Sequence, residues 1–143
     1  GRVLVLDQVA DPGNLGTILR VCDWFGIRHI IGSLDTVDCY NPKVVQASMG
    51  SLARVACHYT DLEAFLSDDQ RPVYGTYLKG TSLYEANLPE DAILVMGSEA
   101  NGISDKLSPY IDHRITIPRR SSNGPESLNV AIATALILGE ISR

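Results

Sequence analysis

Residues 115–142 read ITIPRRSSNGPESLNVAIATALILGEIS, and this stretch decides the fold. A short apolar strand runs into Pro118, a polar loop follows, and a helix is predicted over about Ser127 to Ile141. The helix is apolar around most of its circumference, which is typical of a buried helix and not of an amphipathic surface helix. Its first turn carries Ser127 and Asn129 beside a strand end, and α/β proteins bind their ligands at such places.

The composition favours one globular domain in a reducing compartment. With 143 residues, 45% of them apolar, the chain is long enough to bury a single sizeable core. Its three cysteines, Cys22, Cys39 and Cys57, include no CxxC pair, which indicates a reducing environment and no structural zinc. Neither a signal peptide nor a membrane-spanning run is found. We therefore expect a cytoplasmic protein without a metal or a membrane partner.

The net charge of −5 bears on the partners of the chain. It argues against a domain that holds nucleic acid through its overall charge, because Lys and Arg neutralise phosphates. A local basic patch is still compatible with this balance. The chain opens on Gly1-Arg2 directly before a strand, without an initiator Met, so we expect a domain cut from a longer protein.

Strands alternate with helices along the chain. Val3 to Leu6 is a continuous apolar run, as in a buried parallel strand. A helix from Thr17 to Phe25, ended by Gly26, and a strand over Ile27 to Ile31 complete a right-handed βαβ unit. Further strands are predicted at residues 54–58, 72–77 and 92–96, and further helices at 42–49, 61–66 (capped by Thr60) and 104–107. The alternation predicts one α/β domain with a mostly parallel sheet flanked by helices.

Three predicted loops follow strands and carry the candidate functional residues. The first, Asp11 to Gly16, places two glycines and Asn14 before a helix that carries Arg20. The glycines allow a tight turn and a close approach to a partner. On spacing alone, the favoured interpretation is that Asn14 caps the helix and Arg20 is a solvated surface charge.

The second loop, Gly97 to Gly102, offers backbone N–H groups and the Glu99 carboxylate, although an ordinary strand-to-helix turn would look the same. The third, Pro118 to Asn129, contains Arg119-Arg120, which suits a small phosphate site or a solvated loop. No P-loop is present and no GxGxxG follows the first strand, which argues against nucleoside-triphosphate and dinucleotide binding. Three histidines without partners at ligand spacing are interpreted as structural: His29, His58 and His113.

Taken together and in this order, the loops resemble the three motifs of the SpoU (TrmH-type) RNA ribose 2′-O-methyltransferases of the SPOUT superfamily. The motifs read DPGNLGTILR at 11–20, LVMGSEANG at 94–102, and Ile-Pro at 117–118 followed by SLNV at 127–130. The stretch NPKVVQASMG at 41–50 also resembles a family segment, with Gln46 where Arg is usual. The similarity covers essentially the whole chain, and three motifs in order are a specific signal.

The resemblance implies a fold and a chemistry. Members of the family bind S-adenosylmethionine in a deep C-terminal trefoil knot, a rare exception among folds. They work as homodimers in which each active site is completed across the interface, and they methylate a ribose 2′-OH, commonly in tRNA or rRNA. Many carry a separate N-terminal RNA-binding domain, which fits the abrupt start at Gly1.

Position by position, the resemblance also implies functional residues. Catalytic roles fall on Asn14, Arg20, Glu99, Ser127 and Asn129. Cofactor contacts, largely through backbone groups, fall on Thr76, Met96, Gly97, Glu99, Gly102, Ile117, Pro118, Ser127, Leu128 and Asn129.

Arg20 carries the open question of mechanism. A 2′-OH is a poor nucleophile, so its proton must be removed or its alkoxide stabilised. The family proposal makes the equivalent of Arg20 the base, but arginine is hard to deprotonate, and a clamp on phosphate and alkoxide suits its planar fork better. Asn14 and Glu99 would orient Arg20, while Ser127 and Asn129 would order the cofactor loop and the ribose.

The third motif departs from the family pattern. The family usually has a compact Ile-Pro-Met-x-Gly turn, whereas here Arg119 follows Pro118, Gly124 is the only loop glycine, and the loop at 119–125 is lengthened. The lengthened loop would change the wall of the pocket that holds the adenosyl group.

Two other functions stay open at this point. One is a non-catalytic RNA-binding or dimerisation module of the same fold, and the other is a methyltransferase of the superfamily that acts on a base nitrogen. The presence of all five catalytic matches favours an enzyme. The Asn…Arg and Ser-Leu-Asn signatures favour ribose as the acceptor.

Overall fold

A single six-stranded sheet organises the computed structural model, which describes residues 1–143. The strands are β1 Val3–Asp7, β2 His29–Gly32, β3 Ala56–Tyr59, β4 Val73–Ser82, β5 Ile93–Gly97 and β6 His113–Thr116. The helices are α1 Pro12–Trp24, α2 Pro42–Ser48, α3 Leu62–Asp68 and α4 Val130–Ile141, with 3₁₀ turns at Ser51–Ala53 and Asp105–Tyr110. The strands lie in the order β3-β2-β1-β5-β4-β6, and all five pairings are parallel. The expected α/β class with a parallel sheet is confirmed.

Helices cover both faces of this sheet. Because alternate strand residues point to opposite faces, β1 sends Leu4 and Leu6 into one core and Val3 and Val5 into the other. Helices α1, α2 and α4 pack on the first core, and α3 and the second 3₁₀ turn pack on the second. Burial on both faces explains why β1 is an uninterrupted apolar run.

Helix α1 begins at Pro12 and not at Thr17. The Asp11 side chain caps it by accepting a hydrogen bond from the Asn14 backbone N–H at 2.9 Å. Pro12 suits the first helical position, where a backbone N–H has no intrahelical partner. The DPGN stretch, expected as a loop, is therefore the first turn of a helix, and Asn14 is not its cap. Gly26, with φ +76°, follows the helix end as expected.

Gly16 lies inside α1, where it serves helix packing. A Cβ at this position would lie 2.4 Å from the Cβ of Ala47 on α2. Real side chains do not approach so closely, so glycine is what allows α1 and α2 to pack together. Gly16 does allow a close approach, here between two helices, but the expected tight turn at this position is wrong, because the residue lies inside a helix.

Two further helix starts differ from the sequence-based expectation. Helix α4 begins at Val130 and not at Ser127, because the Asn129 side chain caps it through the backbone N–H groups of residues 131 and 132. Helix α3 is capped by Asp61, whose carboxylate accepts from the N–H of Glu63, and not by Thr60. Both caps are residues that directly precede the first helical residue, and Asn and Asp are among the most favourable residues at that position.

Strand β4 is irregular where it runs beside β6. Thr76 and Thr81 both pair with Ile115, so residues 77–80 are looped out of the ladder. A Cβ on Gly80 would lie 2.7 Å from the carbonyl oxygen of Arg114, which explains the glycine at this close approach. The looped-out residues 77–80 lie at the carboxyl end of the sheet, beside the segment that follows β6.

The histidines and cysteines form neither a cluster of three metal-ligating side chains nor a disulfide. His29 and His58 do have partners, because their Nδ1 and Nε2 atoms lie 3.3 Å apart across β2 and β3. His113 stacks on Tyr74. All three cysteines are free, and no helix is long and apolar enough to cross a bilayer.

Candidate active site

The candidate site lies where the strand order reverses, between β1 and β5. From β1 the chain progresses outward to β2 and β3, whereas β5 neighbours β4 and then β6. Asp7 at the end of β1 pairs with Gly97 at the end of β5, so the loops that follow these strands leave the sheet side by side. In open parallel sheets this crevice at the carboxyl ends of the strands is the usual binding place.

The loop after β5 is a tight turn that holds Glu99 out from the sheet. Ser98 and Gly102 exchange backbone hydrogen bonds of 3.2 and 2.8 Å, and the Ser98 hydroxyl accepts from the N–H of Asn101 at 3.0 Å. A Cβ on Gly97 would lie 2.1 Å from the Gly102 carbonyl carbon. Glycine at position 97 is therefore a requirement of this turn, whatever ligand it also serves.

Three predicted residues from three motifs form one hydrogen-bonded cluster. The Asn14 side-chain amide donates to Oε1 of Glu99. The Asn129 amide donates to Oδ1 of Asn14 at 2.9 Å and approaches Oε1 of Glu99 at 3.5 Å. The sequence distance is large, but the adjacent ends of β1 and β5 and the start of α4 bring the three together.

The orientation of both amides in this cluster is determined by their partners. The Asn129 Oδ1 is occupied by the N–H groups of Ala131 and Ile132, at 2.8 and 3.2 Å, so its NH₂ must face Asn14. Asn14 then accepts with Oδ1 and donates to Glu99. The Oε2 atom of Glu99 has no partner within the chain, so one carboxylate oxygen stays available to a ligand.

An open cleft of about 580 Å³ surrounds the cluster. Its walls come from the loops after β1 and β5 and from the first residues of α4. The lining residues are Gln8, Val9, Ala10, Asp11, Asn14, Ser98, Glu99, Ala100, Asn101, Asn129 and Val130. A cleft of this size is within the range of small-molecule and cofactor sites.

Most residues expected to hold a cofactor lie beside this cleft and not in its wall. Of the ten, only Glu99 and Asn129 line it. Met96 is buried in the core, so its side chain is not available and only its backbone can contribute. The Thr76 hydroxyl donates to the Val95 carbonyl at 3.3 Å. Ile117, Pro118 and Leu128 belong to the chain that runs from β6, at the edge of the sheet, back to Asn129 in the cluster.

The chain between β6 and α4 leaves its backbone polar groups open. No backbone-to-backbone hydrogen bond involves residues 117–128. Arg119 braces the lengthened part of the loop, because Nε and Nη2 donate to the carbonyls of Ser121 and Gly124 at 2.6 and 2.8 Å. Ser127 is exposed and forms no hydrogen bond, so it joins neither the helix cap nor the cluster.

Arg20 stands apart from the cluster that it was expected to join. It is exposed, does not line the cleft, and forms no ion pair or hydrogen bond. Six residues along a helix advance it about 9 Å and roughly 120° around the axis from Asn14. Asn14 and Glu99 therefore orient each other and Asn129, and the Arg20 guanidinium takes no part in the cluster.

An apolar surface lies on the same side of the chain as Arg20. Trp24, one turn further along α1, is 84% exposed, and Ile132 and Leu136 of α4 are 54% and 47% exposed. Helices α1 and α4 pack against each other, so two neighbouring helices both present apolar side chains to solvent. The expectation that the last helix is buried on all sides is wrong for the single chain. A pattern that is apolar all round cannot tell burial in the core from burial against a second molecule.

None of the three cysteines lines this cleft. Burial raises the pKa of the Cys22 thiol to about 12, and burial likewise raises the pKa of Cys57. A thiol reacts as its thiolate, so both stay unreactive near neutral pH. Sequence reasoning missed Gln8, which belongs to no pattern that marks a site, and it assigned no role to Asn101, although Asn101 lies inside the second motif.

Three comparisons place this geometry among known proteins. The model of the SpoU rRNA Methylase family matches residues 1–139. The 23S rRNA (guanosine(2553)-2′-O)-methyltransferase RlmP of Bacillus subtilis is 31% identical over 141 residues, which cover 96% of this chain and 56% of that protein.

Two solved structures share the fold. A TrmH-family protein from Porphyromonas gingivalis is 52% identical with a TM-score of 0.92, covering 99% of this chain and 59% of that one. An S-adenosylmethionine-bound rRNA methyltransferase from Sinorhizobium meliloti is 32% identical with a TM-score of 0.89, covering 98% of this chain and 55% of that one. The chain thus spans little more than half the length of the proteins it matches.

Proposed function

The chain belongs to the SpoU rRNA methylase family, and we propose that it transfers a methyl group from S-adenosylmethionine to a ribose 2′-OH of tRNA or rRNA. The observation that carries the proposal is the Asn14–Glu99–Asn129 cluster in the cleft at the strand reversal. The relatives support it, since the Bacillus subtilis protein is named for 2′-O-methylation of 23S rRNA and the Sinorhizobium meliloti structure binds S-adenosylmethionine.

The residues beside the cleft fit the cofactor. Residues 117–128 offer backbone N–H and C=O groups that no other backbone group uses, and polar atoms of an amino acid and a ribose need such partners. Leu128, 43% exposed, and the half-buried Ile117 offer apolar surface for an adenine ring. These residues, with Thr76, Gly97 and the backbone of Met96, would hold the cofactor at the ends of β4, β5 and β6.

Bound S-adenosylmethionine would supply an electrophilic methyl group on a positively charged sulfur. The chain must then position the ribose and handle its proton. The free Oε2 of Glu99 can accept a hydrogen bond from the 2′-OH, and the cluster fixes the direction of that oxygen. Arg20 would stabilise the developing alkoxide or its flanking phosphate through its planar fork. Ser127 would order the cofactor loop when ligand is bound.

We further propose that Arg20 acts in the cleft of a second copy of the chain. Within one chain it does not join the Asn14 cluster, and the helix that carries it packs against α4, while the two helices also expose Trp24, Ile132 and Leu136. Apolar side chains gathered on one surface favour association, and a two-fold dimer brings the same surface of both copies together. The dimer would bury the apolar surface and carry Arg20 towards the partner's cluster.

The proposal is tested by measuring methyl transfer from labelled S-adenosylmethionine to RNA isolated from a strain that lacks the enzyme. Mass-spectrometric mapping should find one or few ribose-methylated nucleotides. Methylation on a base nitrogen would replace the proposal with the base-acting alternative. Binding of RNA without any transfer would support the non-catalytic module. The trefoil knot, the cytoplasmic location and an N-terminal RNA-binding domain stay predictions.

A further inference from the structure

Gln8 is a lining residue of the cleft with an unusual backbone conformation. Its φ is +61°, and Met49 is the only other non-glycine residue with positive φ. Met49 caps the end of α2, a common place for the left-handed conformation. Gln8 follows a strand, where nothing local calls for it. A side-chain-bearing residue pays free energy for this conformation, and such strain gathers at functional sites when the surroundings enforce it.

Hydrogen bonds on both sides enforce the conformation of Gln8. Its own N–H donates to the Ser33 hydroxyl at 2.8 Å. The following residue, Val9, donates to the Thr36 hydroxyl at 3.3 Å and accepts from the Val37 N–H at 2.9 Å. The two hydroxyls are themselves 2.8 Å apart, and Thr36 donates to the Leu6 carbonyl.

The residue before Gln8 is held as well. Asp7 is buried, and its carboxylate accepts the N–H of Ser104 at 2.7 Å. The backbone is thus fixed immediately before, at and after Gln8. By contrast, the Gln8 carboxamide forms no hydrogen bond within the chain, although it lines the cleft beside Asn14 and Asn101. The chain holds the backbone rigidly and leaves the side-chain amide open.

Resting on the proposed function, we propose that Gln8 contacts the base of the target nucleotide. A carboxamide presents one donor and one acceptor in a plane, which matches the paired donor and acceptor on the edge of a base. Enzymes that modify nucleotides, and proteins that read single-stranded RNA, recognise exposed bases by such edge contacts. The cofactor is a poorer partner, because only two of the ten expected cofactor residues, Glu99 and Asn129, line the cleft that Gln8 lines. The strained backbone is retained because it aims the amide.

The test compares Gln8→Gly and Gln8→Asn with the wild type in the full-length protein. Glycine adopts positive φ without strain, so it removes the side chain and keeps the backbone. We expect kcat/KM for the target RNA to fall about tenfold, as for the loss of a paired hydrogen bond to a base. The Kd for S-adenosylmethionine should not change, and Tm should stay equal or rise. Asparagine tolerates this backbone conformation and keeps an amide, so kcat/KM of Gln8→Asn should lie between the values of the wild type and Gln8→Gly.

Gln70→Ala serves as a matched control, because Gln70 is exposed and follows α3, away from the cleft. Wild-type kcat/KM for RNA in Gln8→Gly would overturn the inference, and so would a loss matched by weaker cofactor binding or lower Tm. Wild-type activity is the reference throughout. If the wild type transfers no methyl group to any RNA, the proposed function fails; if it does and Gln8→Gly equals it, only the inference about Gln8 fails.

Discussion

The two parts of the candidate site differ in how far a single chain completes them. The Asn14–Glu99–Asn129 cluster is joined by internal hydrogen bonds, and the same Asn129 caps α4. Arg20 has no hydrogen-bond or ion-pair partner, and the backbone of residues 117–128 forms no hydrogen bond to another backbone group. This difference predicts which residues contribute to both stability and function and which contribute to function alone. We call the hydrogen-bonded cluster the closed part of the site, and Arg20 with residues 117–128 the open part. Substitutions in the closed part should lower both stability and activity, whereas substitutions in the open part should lower activity alone.

Arg20→Ala is expected to have the largest effect on activity and almost none on stability. Removing a donor that stabilises developing charge costs two or more orders of magnitude in rate, about 3 kcal/mol. Since Arg20 is exposed and forms no hydrogen bond or ion pair in its own chain, Tm and the Kd for S-adenosylmethionine should stay near wild type. Single-turnover methyl transfer, thermal unfolding and titration calorimetry measure the three quantities. The matched control is Arg28→Ala, an exposed arginine before β2 at the opposite end of the sheet. Normal turnover in Arg20→Ala would remove this residue from the site.

Arg20→Lys separates the two roles of the guanidinium. Lysine keeps the charge but loses the planar fork, so a bidentate clamp should fail almost as badly as in the alanine variant. A residue that must lose a proton would work better as lysine, whose pKa is lower and more easily shifted by burial. A pH–rate profile of the lysine variant distinguishes the two roles. A rate above that of the wild type at high pH would show that the residue acts as a general base and not as a clamp.

Asn129→Ala should affect both properties, because this side chain belongs to the closed part. Loss of the helix cap lowers the free energy of unfolding by about 1–2 kcal/mol and Tm by about 3–8 °C. Methyl transfer should fall by about ten- to a hundredfold, since Asn14 and Glu99 lose their orientation. Denaturant unfolding and single-turnover rates measure the two losses. Asn87→Ala, at an exposed asparagine without side-chain hydrogen bonds, is the control. Lost activity at wild-type stability would contradict the account of a closed cluster.

The smallest effect is expected from the ion pair that anchors the far end of α1. The Arg54 guanidinium lies 2.8 Å from Asp23 and lowers the pKa of that carboxyl below its ordinary 3.8. A depressed folded-state pKa contributes stability above pH 3.8, which is lost as pH falls through the lower folded value. Between about pH 5 and 3, Tm should therefore fall slightly more in the wild type than in Asp23→Asn. Asp68→Asn, an exposed aspartate without an ion pair, should follow the wild type. If Tm falls equally with pH in the wild type and in Asp23→Asn, this prediction is contradicted.

The closed part of the site could largely be predicted from the sequence, and the open part could not. Loops after parallel strands meet at one edge of the sheet, so Asn14 and Glu99 were expected close together. The position of Arg20 depends on where α1 begins, and reading Pro12 as a turn residue moved that start by more than a turn. The exposure of Ile132 and Leu136 depends on tertiary packing, which periodicity does not encode. Likewise, no pattern marks Gln8, because its left-handed backbone is imposed by the distant hydroxyls of Ser33 and Thr36.

The central claim is that Arg20 of one chain completes the cluster of another, and mixed dimers test it most directly. Arg20→Ala and Glu99→Ala are each expected to be inactive. If the two residues serve a site from different chains, each mixed dimer carries one intact site, and random mixing restores about a quarter of wild-type activity. If both act within one chain, or if the protein is a monomer, every site in the mixture is defective. Methyl transfer measured after co-refolding should thus recover to about a quarter of the wild-type rate, and a rate no higher than that of the separate variants would contradict the account.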